Sequence, residues 1–86
     1  MNKEPVVSGL PNIVEAIRKC GKRVSIAGEL PDYLSIPADL IKQVRREATD
    51  NRAKEVLISG DGLNVSAFII AKDGIRIEIP LRQVEF

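Results

Sequence analysis

Glu55-Val56-Leu57-Ile58-Ser59, then Gly60-Asp61-Gly62, then residues 63–71, Lys72-Asp73-Gly74 and residues 75–81 make up the stretch on which the fold turns. Three runs rich in β-branched residues are divided by two Asp-Gly steps. Asp-Gly between such runs is a strong hairpin signal, because both residues tolerate positive φ. The stretch therefore predicts a three-stranded antiparallel meander.

Side chains alternate between the faces of a strand, so the turn lengths fix which residues meet. A two-residue Asp61-Gly62 loop places Ile58 opposite Val65 and Val56 opposite Ala67. In the second hairpin a two-residue loop would put Ile77 opposite Ile70 on the wrong face. A three-residue loop, Lys72-Asp73-Gly74, puts Ile77 opposite Ile69 and Ile79 opposite Ala67, with Gly74 in a left-handed bulge after a type I turn. The predicted core face is then Val56, Ile58, Leu63, Val65, Ala67, Ile69, Ile75, Ile77, Ile79 and Leu81.

The opposite face carries Ser59, Asn64, Ser66, Arg76 and Glu78, but also Leu57, Phe68 and Ile70. A one-sided sheet normally alternates apolar and polar residues cleanly. Those three large apolar side chains call for a cover, and Val84 and Phe86 would join them if the C-terminal tail stays extended. A second copy of the chain is the expected occupant, since contiguous apolar surface marks partner sites and twofold pairing is the commonest assembly. The N-terminal arm or residues 31–35, folded under the sheet, would serve the same end. Pro80 lacks an amide donor, which places the last strand at an edge.

Outward from the meander, Leu40, Ile41, Val44 and Ala48 share one arc of a helix that opens at Ile36-Pro37 and runs to about Asn51. Residues 23–27 alternate around Val24 and Ile26 as a fourth strand, able to lie parallel beside residues 55–59 through the helical crossover. Upstream, Leu10, Ile13, Val14 and Ile17 fall at helical spacing, with Pro11 at the helix start and Gly21 at its end. Residues 1–8 read as a flexible arm. The fold class is α+β: a two-layer sandwich of order α-β-α-β-β-β, with a four-stranded mixed sheet and both helices on one face. At 86 residues the chain is a single domain.

Composition narrows the chemistry. The chain has no histidine, so the commonest general base and nitrogen metal ligand are absent. Its single cysteine, Cys20, can form neither an internal disulfide nor a thiolate cluster, and it ends an apolar helical stripe as a structural thiol would. Asp61 and Asp73 are turn residues, and no Lys-Ser/Thr pair or helix follows Gly60-Asp61-Gly62 as a phosphate loop requires. No enzyme, cofactor or metal site is expected. No apolar run is long enough to span a bilayer and no signal peptide is evident, so the expectation is a soluble cytoplasmic protein without a membrane partner.

A net charge of +1 gives no general attraction to polyanions. Local clusters do exist. Arg18, Lys19, Lys22 and Arg23 form one without an intervening acid, and Lys42, Arg45 and Arg46, continued by Arg52 and Lys54, form another diluted by Glu47 and Asp50. With the helices side by side, both clusters would lie on one surface and could track a phosphate backbone. Solvated helix faces, with cations drawn toward the C-terminal dipole, account for the same residues. The sequence thus favours a non-enzymatic interaction module, homodimeric through Leu57, Phe68 and Ile70, with nucleic-acid binding through the basic helices as the alternative.

Overall fold

The structure, a computed structural model, describes residues 5–82. In chain order its elements are β1 (Val6–Ser8), α1 (Leu10–Arg18), β2 (Arg23–Glu29), β3 (Ser35–Pro37), α2 (Ala38–Asp50), β4 (Ala53–Asp61), β5 (Val65–Ala71) and β6 (Arg76–Arg82). The mixed sheet has the order β2-β4-β5-β6, with β2 parallel to β4 and the rest antiparallel. The class is α+β, as the sequence predicts. The second hairpin also matches: Ile69 pairs with Ile77 and Ala67 with Ile79. The amide of Gly74 donates to the Ala71 carbonyl at 3.0 Å, and Gly74 has φ +92°.

The first hairpin differs from its expected register by two residues. Ile58 lies opposite Ala67 and Val56 opposite Ile69. The tip is Gly62-Leu63, because the Asp61 carboxylate accepts from the amides of Leu63 (3.1 Å) and Asn64 (2.7 Å) in place of a backbone acceptor. A shift of two preserves the faces, so the core survives the correction. Leu63 (45% exposed) and Ile75 (59% exposed) do not join it. Both sit in the hairpin loops, off the ends of the strands.

The core is one cluster. Ile13 and Ile17 of α1 and Ile41, Val44 and Ala48 of α2 pack with Val56, Ile58, Val65, Ala67, Ile69, Ile79 and Leu81 of the sheet. Ile77 packs against it, partly buried. At roughly 25 cal/mol per Å² of apolar area removed from water, this layer is the main stabilising contribution.

Residues 5–8 are not a loose arm. β1 pairs antiparallel with β3, Val7 facing Ile36, and the ribbon is closed by Gly9 N to Leu34 O (2.8 Å) and Ala38 N to Pro5 O (2.9 Å). Ile36 and Leu34 are buried in the same core as the helices, so neither this segment nor the 31–35 loop passes under the sheet. The pairing also keeps Pro37 extended, at φ −55° and ψ 137°, as the N-cap of α2 rather than in its first turn. Residues 1–4 and 83–86, and with them the expectation for Val84 and Phe86, lie outside the described residues.

Close backbone approach shapes the far end of the parallel pair. Gly28, at φ +78°, lies against Gly60, and a Cβ at position 28 would overlap the Gly60 carbonyl oxygen. At Gly60 a Cβ would stand 2.6 Å from Leu30 Cδ2 and 2.8 Å from Glu29 O. Only glycine fits this crossing.

Candidate functional site

Parallel pairing decides where the basic residues meet. Arg23 lies beside Glu55 at the start of β2 and β4, so both helix-to-strand junctions fall at the same end of the sheet. There the end of α1 and residues 42–50 of α2 enclose an open groove of about 670 Å³, lined by Lys19, Cys20, Lys42, Arg45, Arg46, Thr49 and Asp50. Residues 42, 45, 46 and 49 recur at i, i+3, i+4 and i+7, which puts them on one flank of α2 beside its buried stripe.

Four cations line this groove against one carboxylate, Asp50. Among the described residues the single ion pair within 4.0 Å is Arg18 with Glu15, outside the groove. Lys19, Lys42, Arg45 and Arg46 therefore have no carboxylate partner among the described residues. The Nε of Arg45 is shielded from solvent and has no hydrogen-bond partner there. The Thr49 hydroxyl donates to the Arg45 carbonyl at 3.0 Å, and its oxygen remains able to accept. The helix dipole accounts for Lys19, the C-cap residue of α1, but not for the α2 cations, since the last turn of α2 holds no basic residue.

The remaining expected cations divide. Arg23, with Lys54 and Glu55, lines a smaller cleft of about 320 Å³ at the same end of the sheet. Glu55 there accepts from the Ser25 hydroxyl at 3.1 Å. Arg18 and Lys22 line neither cleft. Asp50, expected to dilute the α2 cluster, lines the groove as its acid. Cys20 and Thr49 join it unexpected, and their sequence signal is position, since Thr49 follows Arg46 by one turn and Cys20 adjoins Lys19. Cys20 is half-buried and packs partly against the core. The groove's charge is predominantly positive, four cations with one carboxylate and the Cys20 thiol beside them.

The open face of the sheet is the other candidate. Leu57 and Phe68 are cross-strand partners, and Ile70 lies between Glu55 and Arg76. All three stand outside the core cluster, on the face away from the helices. Yet Leu57 and Phe68 are half-buried and Ile70 is only 8% exposed. The flanking surface is polar, with the Ser66 hydroxyl donating to Glu78 at 2.8 Å.

Among the described residues, no group of three or more His, Cys, Asp and Glu side chains is placed to hold a metal ion, and no helix is long and apolar enough to cross a membrane. No family model, no curated protein and no solved structure matches this chain.

Proposed function

We propose that this chain is a non-enzymatic binding module whose groove between α1 and α2 takes the phosphate backbone of a nucleic acid. The observation that carries the reading is the convergence of Lys19, Lys42, Arg45 and Arg46 in one groove without carboxylate partners among the described residues. Two guanidinium groups offer bidentate donors to phosphate oxygens, and two ammonium groups add point charge. Neither Tyr33 nor Phe68 lines the groove, so binding is through the backbone and largely independent of sequence.

The test is anisotropy of a short labelled duplex at two salt concentrations. Four neutralised phosphates give a log–log salt slope of about −3.6, so affinity falls about 150-fold between about 50 and about 200 mM salt. Replacing Lys42 and Arg46 by glutamine halves the slope and reduces that loss to roughly tenfold. Absence of binding at the lower salt with micromolar protein refutes the reading. So does a double variant that binds with the wild-type slope.

A second reading rests on a separate observation: Leu57, Phe68 and Ile70 lie together on the face that no described helix covers. Homodimerisation through this face predicts that Phe68→Glu turns a dimer mass into a monomer mass in light scattering. An unchanged mass rejects it. It ranks second because Ile70 is already shielded within the chain, which limits the area that pairing would bury.

A further inference from the structure

The two edges of the mixed sheet are unlike. On β6 the edge is interrupted by Pro80, and the register with β5 slips between Val65 and Ser66. Such features blunt an edge against pairing. The other edge, β2, has seven residues, no proline and an unbroken register with β4, with one departure from extended backbone, at Gly28 (φ +78°). Its outer half, Ile26 to Glu29, is exposed throughout, and Ile26 is 49% exposed although it lies on the core side of the sheet beside Ile58. A strand with free backbone donors and acceptors and an apolar centre is a template for another strand.

Charge selects which strand. The β2–β4 pair begins with Arg23 beside Glu55 and ends with Glu29 beside Asp61. Neither Arg23 nor Glu29 has an ion-pair partner within 4.0 Å among the described residues. A copy of β2 laid antiparallel about a twofold axis at Ile26 brings Arg23 of each copy opposite Glu29 of the other. Ile26 then meets Ile26, Ser25 meets Ala27, and Val24 meets Gly28, which has no side chain to obstruct it. Registers displaced by two residues in either direction leave both charges without an opposite partner.

We infer that β2 is a self-pairing edge, and that two copies of this chain join their sheets antiparallel through β2 into one eight-stranded sheet. The twofold stands perpendicular to the sheet, so both helix layers lie on the same side and Ile26 of each copy extends the shared core. The Arg23–Glu29 pairs lie on the open face. This inference is independent of the groove's ligand and of the Leu57–Phe68 face.

The experiment is light scattering on the full chain across a concentration series, with circular dichroism to verify the fold. Wild type is expected to be a dimer. Arg23→Glu and Glu29→Arg each set like charges opposite one another twice, and each raises the dimer dissociation constant roughly tenfold or more. The double variant, Arg23→Glu with Glu29→Arg, restores the attraction and the dimer. A monomeric wild type overturns the inference, including the case in which the edge takes a strand from another protein. A dimer insensitive to either single reversal overturns it too, as does one that the double exchange fails to restore. If Phe68→Glu alone dissociates the dimer, the sheet face and not the edge is the interface.

Discussion

Replacing Gly28 by alanine tests the crossing at the far end of the parallel strands. Two penalties add. An alanine held near φ +78° adopts a conformation that L side chains rarely take, at about 1–3 kcal/mol. Its methyl group would also overlap the Gly60 carbonyl oxygen, and because both atoms belong to paired strands neither can swing aside. Forcing such a contact costs roughly a further 1–3 kcal/mol. The sum, about 2–6 kcal/mol, compares with a total stability of about 4–13 kcal/mol for a chain of this length. Gly74→Ala is the internal control, since its φ of +92° carries the conformational strain but nothing lies within 4 Å of the added Cβ. In urea, with a slope of about 1 kcal/mol per molar, Gly28→Ala lowers the midpoint by about 2 M or more and Gly74→Ala by roughly half that or less. Equal midpoints for the two variants would refute the argument that backbone contact at Gly60 excludes a side chain.

Ile69→Ala removes a fully buried side chain and is expected to cost about 2–5 kcal/mol, whereas Ile75→Ala, at the exposed second tip, stays within about 0.5 kcal/mol of wild type by the same urea titration. The carboxyl of Asp61 is held below its ordinary 3.8, first by the amide of Asn64 and then by that of Leu63. Its folded-state pKa being depressed, the contribution is present above the unfolded value and is lost as pH falls through the folded one. A carbon-detected NMR titration should therefore give Asp61 a midpoint below 3.8, and Asp61→Asn should abolish the pH dependence of the tip amides. The salt slope of duplex binding and the reciprocal charge exchange at Arg23 and Glu29 complete the set.

Parity explains how much of this fold could be read from residues alone. In the Lys72-Asp73-Gly74 hairpin, a change of one residue would reverse every side chain, so the alternation itself selects the three-residue loop. In the Asp61-Gly62 hairpin, the expected and observed registers differ by two and leave the same residues inward. What separates them is the Asp61 side chain acting as acceptor, which alternation does not encode. Alternation also assigns a face without saying where each strand ends, hence the misplacement of Leu63 and Ile75. The β1–β3 ribbon has too few residues for any period to register. Of the groove, the charges and a shared surface for them were legible, but not that Arg18, Lys22 and Arg23 would stand outside its lining. The parallel alignment that brings the two helix-to-strand junctions to one end was legible as a helical crossover, but which side chains face the groove depends on helix packing that alternation does not encode.

The ribbon of β1 and β3 also bears on the order in which the chain assembles. Ser8 and Ser35, whose hydroxyls meet at 3.0 Å, are 27 residues apart. The strands of the meander are joined by the shortest of turns. Loop-closure entropy rises with the logarithm of the enclosed length, and three pairs of residues give little return for closing a loop that holds all of α1 and β2. The meander can therefore nucleate from local contacts, with α2 and then β2 adding to it. On this order the N-terminal segment is expected to dock last, pairing β1 with β3 beside the buried Leu34 and Ile36.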